Sequence, residues 1–465
     1  MPQGEMEINM ALKTDLTRGS VHKHVLSFAM PLLFSNLFQL LYNVVDIYFV
    51  GKFSGTGSNG ITAVTNCGII IMVLVSAVMG MVNAATILIG QYWGARDVEG
   101  VKRVTNTANC FFFIVGIVIT ILGLLLSKPL LHLINIPQES MQDAMSYLSI
   151  IFCGVIFTIG YNLISAYQRG LGDSKTSMYF IIIATVVNIV LDYIFIKYFK
   201  MGVSGAALAT IIAQGISFGL GVYYLKKQNH IIEFSFKKPK IDKKTLGQIV
   251  KLGLPSSIQQ TLLSISFSVF MGLINGYGLS AAAAYGIGGK VDSFVVLPAQ
   301  ALGLSVSSVV SQNLGVKKYD RALKASKIGM IYSAIIGLFF TVIIYTYAPG
   351  IIGFFTNDAE VIEYGTKYLH ILPIMYIPFG VMWTAGGLVQ GSGNTMYAML
   401  TSLFSQYIIR IPVAFILSNL MGIEGIYWAM ILGPFIGLFA NVGFIISKKW
   451  KKTELIKTLP LDEVN

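Results

Sequence analysis

Twelve apolar runs, each long enough to cross a bilayer, constrain what this chain can fold into more than any other feature of it. They lie near residues 25–50, 61–90, 104–126, 144–166, 176–199, 203–225, 252–275, 281–312, 325–347, 366–389, 395–419 and 425–447. A hydrocarbon core about 30 Å thick takes roughly 20 helical residues to cross. Within lipid every backbone N–H and C=O must be satisfied by the chain itself, and runs of this length are too long for barrel strands. The expected class is therefore an all-α integral membrane protein with twelve transmembrane helices. Composition agrees: 55% of the residues are hydrophobic and 12% charged, whereas soluble domains carry about 25% charged residues.

An even number of spans leaves both termini on one side of the membrane. That side collects 26 of the 33 Lys and Arg residues, while the opposite loops hold Lys52, Lys128, Lys197, Lys200 and Lys367. Because positive charge marks the cytoplasmic face, both termini are expected in the cytoplasm. The net charge of +12 thus resides in loops on one side, and no nucleic-acid partner is inferred from it. Residues 1–24 are polar and mixed, without the short apolar core of a cleavable signal, so the first span is expected to direct insertion. Cys67, Cys110 and Cys153 all fall in apolar runs, which excludes a disulfide framework or a thiolate metal site. The five histidines are scattered, with no HExxH or comparable cluster.

The two halves of the chain repeat each other. Pro31 in FAMP pairs with Pro255 in LGLP. GQYWGARD pairs with SQNLGVKKYD through Gln91/Gln312 and Gly94/Gly315. Pro129 matches Pro349, RGLGDSKTSM matches QGSGNTMYAM through Gly170/Gly391 and Gly172/Gly393, and GVSGAALAT matches GIEGIYWAM. All pairings fall at offsets of 220 to 224 residues. A repeat of six spans preserves topology, so two pseudo-symmetric six-helix bundles related by an axis along the membrane normal are expected. The boundaries implied are a tail at 1–24, a lobe at 25–225, a lysine-rich cytoplasmic linker at 226–251, a second lobe at 252–447 and a tail at 448–465. This arrangement points to a transporter whose lobes rock around a central cavity.

GLGDSKT at 170–176 superficially resembles a phosphate-binding loop. That pattern requires Gly immediately before the Lys and again five positions earlier, where this chain has Ser174 and Arg169. The segment reads instead as a tight turn between helices four and five.

Of 21 acidic residues, Asp46, Asp192 and Asp292 alone lie well inside the apolar runs. An aspartate there costs about 2.5–3.5 kcal/mol on insertion scales and is a functional candidate by default. The plainer reading of Asp192 is a residue near the membrane boundary, supported by Lys197 or Lys200. Asn188 stands four residues before Asp192, one turn away on the same helix face. Asp46 and Asp192 lie in outward-running spans of one lobe, about 6–11 Å below the outer boundary, so they can share a cation or a proton. Thr210 in span six adds a hydroxyl oxygen and Asn188 an amide oxygen, a donor set suited to Na⁺ or a proton relay rather than to soft metals. The second-half counterparts are Val413 for Asp192, Ile409 for Asn188 and Phe270 for Asp46. The architecture is duplicated and the carboxylates are not, which favours a specialised site. Lys290 with Asp292 in span eight and Arg410 in span eleven form separate polar positions. Lys290 and Asp292 can be an internal neutralising pair, or all three can face substrate in a cavity.

From about Ser20 to Trp450 the chain resembles multidrug and toxic compound extrusion (MATE) transporters, in particular their bacterial DinF-type branch. The resemblance rests on Pro31 with Asp46, GQYWGARD, QRGLGDSKT, NIVLDYIFI and GVSGAALAT in this order and spacing. It implies an antiporter that expels small cationic or amphipathic drugs as Na⁺ or H⁺ enters, with the cation held by Asp46, Asn188, Asp192 and Thr210. An asparagine often found late in the fourth span of that branch falls near Ser165, with Asn162 one turn earlier as the alternative. The resemblance further implies location in a bacterial plasma membrane; a monomer is expected, with no cofactor beyond the transported ion. A lipid-linked oligosaccharide flippase of distantly similar fold is the alternative function. It would be expected to line its cavity with several arginines, where this chain offers Arg410 and Lys290. No nucleophile constellation supports an enzyme, and no filter-like loop supports a channel.

Overall fold

The computed structural model describes residues 15–55, 57–228 and 241–456. Twelve helices in it are long and apolar enough to cross a membrane. They are α1 (Val21–Phe53), α2 (Asn59–Gly94), α3 (Val98–Leu133), α4 (Gln138–Gly170), α5 (Ser174–Tyr198), α6 (Gly202–Lys227), α7 (Lys243–Asn275), α8 (Leu279–Gly315), α9 (Tyr319–Gly353), α10 (Ala359–Gly391), α11 (Thr395–Met421) and α12 (Ile423–Ile446). No strand occurs among the described residues.

Most helices outrun their apolar cores because polar loop residues cap them. Asp97 accepts from Gly100 N at 2.7 Å to start α3, and Asp173 accepts from Thr176 N at 3.0 Å to start α5. Asp242 accepts from Thr245 N at 2.8 Å to start α7, and Asp358 accepts from Glu360 N at 2.9 Å to start α10. Each cap satisfies one of the orphan N–H groups that a helix start leaves behind. The α7 cap places the helix start at Lys243, nine residues before the expected apolar run, so both ends of the expected linker are helical. Its middle, residues 229–240, lies outside the described residues, as do residues 1–14 and 457–465 of the expected tails. The phosphate-loop look-alike is a turn: Gly172 takes φ +89°, as Gly393 takes +84° at the matching position, a conformation open to glycine and strained for other residues.

The described residues divide into two compact units, one within Phe34–Lys251 and the other joining Leu16–Leu33 to the part of the chain from Leu252 on. In the first unit α4 packs against α2, α3 and α6, and α5 packs against α6. Tyr167 donates to Asn109 Oδ1 at 2.7 Å, Thr120 to Phe152 O at 2.9 Å and Ser217 to Phe180 O at 2.8 Å across these contacts. The second unit repeats the scheme, with α10 against α8, α9 and α12, and α11 against α12. Here Thr341 donates to Pro373 O at 2.9 Å, Asn441 to Met382 O at 3.1 Å and Tyr397 to Ala440 O at 2.8 Å. Bonds between side chains and backbone within the bundle are the usual means of joining apolar helices where burial alone gives no drive.

The start of α1 belongs to the second unit. Ser305 donates to Val25 O at 2.8 Å, Asn313 to Leu16 O at 3.2 Å and Arg321 to Gly19 O at 2.7 Å. Beyond α12, Trp450 is buried and donates to Ile445 O at 3.1 Å. The last part of α5 (Tyr193–Tyr198) and the middle of α11 (Phe404–Arg410) are π-helical, a wide-turn geometry that often accompanies functional positions.

Candidate cation-coupling site

The sequence places Asp46 seven residues before the end of α1 and Asp192 six before the end of α5, and both are buried, at 4% and 0% exposure. Asn188 is fully buried one turn below Asp192, and Thr210 of α6 is 6% exposed. Asp46 is in direct interaction range of Asp192, Asn188 and Thr210. Four of the expected residues therefore converge, from three helices of one unit.

Their polar atoms are mismatched in one direction. Asp46 Oδ1, both carboxylate oxygens of Asp192 and both amide atoms of Asn188 are buried without a hydrogen-bond partner. Four of those five atoms are acceptors. Two neighbouring carboxylates surrounded by acceptors are stabilised by a proton or a hard cation, and oxygen-only ligation fits Na⁺. Among the described residues no group of three or more His, Cys, Asp or Glu side chains could hold a metal ion.

Two tyrosines join the site that sequence reasoning did not single out. Tyr42, one turn before Asp46 on α1, donates to Thr210 Oγ1 at 3.0 Å. That i, i+4 spacing was available as a signal. Tyr147 of α4 is 7% exposed and within electrostatic range of both aspartates, and nothing local in the sequence marks it. It supplies the fourth-helix neighbour in place of the two candidates. Ser165 is buried with an unpartnered hydroxyl, and Asn162 donates to Thr158 O of its own helix at 2.8 Å. Neither is brought to the aspartates: counted from the α4–α5 turn, they lie about 9–14 Å of helix rise below the level of Asn188.

In the second unit Asp292 is buried and accepts from Tyr368 Oη and Tyr376 Oη, both at 2.6 Å. Lys290 is exposed and forms no ion pair with it among the described residues. Two residues on a helix are about 200° apart, so the two side chains leave α8 on different faces, and the neutralising pair does not form. Arg410, 8% exposed, donates from Nη1 to Gln406 Oε1 at 2.6 Å and lies over the Phe270 ring at 4.3 Å. Tyr285 stands within electrostatic range of both Asp292 and Arg410.

A duplicated six-helix architecture with a buried acidic pair in one copy is an arrangement suited to a membrane transporter. The chain belongs to the MatE family, whose model matches residues 31–194 and 255–416. It is 31% identical over 428 residues to a probable multidrug resistance protein, YoeA, of Bacillus subtilis, covering 90% of this chain and 91% of that one. It is 27% identical over 421 residues to the multidrug export protein MepA of Staphylococcus saprophyticus, covering 89% and 91% respectively. In fold it matches an outward-facing multidrug resistance MATE family transporter of the MOP superfamily, with a TM-score of 0.87 at 23% identity over 94% of this chain and 98% of that one. These relatives give no support to the flippase alternative.

Proposed function

We propose that this protein exports small amphipathic or cationic organic molecules across the bacterial plasma membrane by antiport against Na⁺ or H⁺. The observation that carries the reading is the buried Asp46–Asp192 pair, with acceptor atoms that a cation or proton would satisfy. Both termini are cytoplasmic on the strength of the lysine and arginine distribution, the protein acts as a monomer, and movement of the two repeats exposes the site to alternate sides of the membrane. The coupling ion enters from outside, occupies Asp46 and Asp192, and lowers the affinity for substrate. By linkage, substrate lowers the affinity for the ion by the same factor. The donor set supports a shared carboxylate site, with Tyr42 bonded to Thr210 and Tyr147 of α4 within range of both aspartates.

The test is efflux of a fluorescent organic cation from proteoliposomes under a Na⁺ gradient or a H⁺ gradient imposed separately. Asp46→Asn and Asp192→Asn are each expected to abolish the gradient-driven component while leaving downhill exchange detectable. Undiminished gradient-driven efflux in both variants would remove this site assignment.

A further inference from the structure

Below the carboxylate pair the first unit carries a line of polar side chains that the coupling site does not use. On α4, Thr158, Asn162, Ser165 and Arg169 follow one another at spacings of four, three and four residues, so they share one helix face. Tyr147, the neighbour of the aspartates, lies eleven residues before Thr158, three turns along that same face. On α5, Thr185 stands three residues before Asn188 and Ser177 eleven before it, again on the face that carries Asp192. On α6, Gln214 and Ser217 continue the face of Thr210. Three stripes on three packed helices thus begin at the coupling site and run to the end of the unit that the lysine and arginine distribution makes cytoplasmic.

The stripes are joined to one another. Thr158 donates to Gln214 Oε1 between α4 and α6, Ser217 to Phe180 O at 2.8 Å between α6 and α5, and Thr176 to Tyr224 Oη at 3.2 Å nearer the cytoplasm. Among these links sit polar atoms without partners. Both amide atoms of Asn188, Ser165 Oγ, Ser177 Oγ and Arg169 Nε are buried and unbonded. Ser165 and Ser177 are 2% and 1% exposed. A hydroxyl both donates and accepts, and buried groups of this kind are satisfied by bridging water.

The second unit shows that the fold does not need this line. At the 221-residue offset Thr158 and Asn162 fall opposite Phe379 and Trp383, whose rings pack at 6.1 Å. Ser165 falls opposite Gly386, Ser177 opposite Ala398 and, at the 220-residue offset of the sixth spans, Gln214 opposite Pro434. Gln406 and Gln390, opposite Thr185 and Arg169, are polar but neutral. Polar groups that served only to join helices would be expected in both units; these accompany the carboxylates.

Arg169 ends the line in the last turn of α4. It forms no ion pair among the described residues, and Tyr161 of its own helix is within electrostatic range of it. A fixed positive charge on a narrow polar path is a barrier to cations and protons.

We propose that the seam between α4, α5 and α6 is the route by which a proton leaves Asp46 and Asp192 for the cytoplasm, and that Arg169 holds this route closed while no substrate is bound. The carboxyl O–H bond breaks, the proton passes along water held by Asn188, the Thr158–Gln214 link, Ser165 and Ser177, and it is released as hydronium beyond Arg169. The carboxylate is left ready for the next proton. Substrate binding weakens the hold on the proton by linkage and so brings it closer in energy to the barrier at Arg169. This rests on the antiport reading above, and specifies H⁺ as the ion and the interior of the first unit as its exit.

The test places the full-length protein in vesicles that enclose a pH-sensitive dye, with a potassium diffusion potential and no organic substrate. The parent is expected to admit protons little faster than protein-free vesicles. Arg169→Gln is expected to raise proton entry about tenfold or more, the scale of removing one nearby charge at an effective dielectric constant of about 20. Arg169→Lys, which keeps the charge, is expected to stay near the parent. Adding Asp192→Asn to Arg169→Gln is expected to return entry to background, and adding Thr158→Val with Gln214→Leu to reduce it severalfold. Uptake of radioactive Na⁺ is expected to be equal in parent and Arg169→Gln. An Arg169→Gln protein no more permeable than the parent, a leak that survives Asp192→Asn as a misfolded protein's would, or a leak that carries Na⁺ as readily as H⁺ would overturn the proposal. Dye efflux by the parent in the same vesicles tests the antiport reading separately: gradient-driven efflux that needs both aspartates, beside a tight Arg169→Gln protein, removes the exit route alone.

Discussion

Replacing Tyr376 by Phe removes one of the two hydroxyls that hold Asp292 and changes almost nothing else in volume. The bond lost is short, 2.6 Å, and wholly inside the second unit. A hydrogen bond to a charged group contributes about 1.5–3 kcal/mol, and stranding a buried acceptor costs on the same scale. For a unit of roughly this size, about 2–4 °C of melting temperature accompanies each kcal/mol, so Tyr376→Phe should melt about 3–12 °C lower. Tyr368→Phe, which removes the other 2.6 Å bond, should do the same. The informative measurement is the cycle with Asp292→Asn, read by thermal unfolding in detergent. A neutral amide is far cheaper to bury than a carboxylate, so the tyrosine substitutions should cost much less in the Asn background. The three residues then act as one unit, and their effects are not additive. If each tyrosine substitution costs the same with Asp292 present or replaced, the hydroxyls do not serve the carboxylate and this account of the cluster is wrong.

Asp242 is expected to behave as a pH-dependent helix cap. Its carboxylate accepts from the hydroxyl and the backbone N–H of Thr245, which hold it below the usual carboxylate range. Its stabilising effect is therefore complete above the ordinary range and is lost as pH falls through the lowered value. Asp242→Ala should cost about 0.5–2 kcal/mol at neutral pH, with the gap between variant and parent melting temperatures closing in acid. Gly393→Ala should destabilise the α10–α11 turn by about 1 kcal/mol or more, since it combines a positive φ with crowding against Leu455. Tyr42→Phe should leave the fold intact and change the ion concentration giving half-maximal exchange by about two- to tenfold, the scale of one neutral hydrogen bond to Thr210; an unchanged ion dependence would remove Tyr42 from the site.

The spans, the internal repeat and the coincidence of Asp46 with Asp192 were legible in the sequence because each follows from local pattern: apolar run length, recurring turn motifs, and depth counted along a helix. The convergence of Asn188 and Thr210 on the same point was also readable, the first by its one-turn spacing and the second through the family resemblance. Contacts that depend on how helices rotate against each other were not. Tyr147 reaches the aspartates from a mixed stretch, with Asp143, Ser146 and Ser149 close by in the chain and nothing to set it apart, and Ser165 drew attention by family position although helix register sets it well below the pair. Nor does any local pattern show that the first turns of α1 pack with the second unit, because Val25 and Phe28 would suit either core.

The π-helical stretches in α5 and α11 carry a consequence for how this chain tolerates insertions and deletions. A π turn holds one more residue than an α turn over the same hydrogen-bonded span. Removing a single residue within Tyr193–Tyr198 would let α5 close into an ordinary helix, with Asn188 and Asp192 still in register because they precede the stretch. A deletion a few residues earlier, between Ser174 and Asn188, has no such slack and would rotate both side chains by about 100° away from Asp46. These wide turns are therefore where chain length can drift by one residue at low cost, and the segment before them is where it is held fixed.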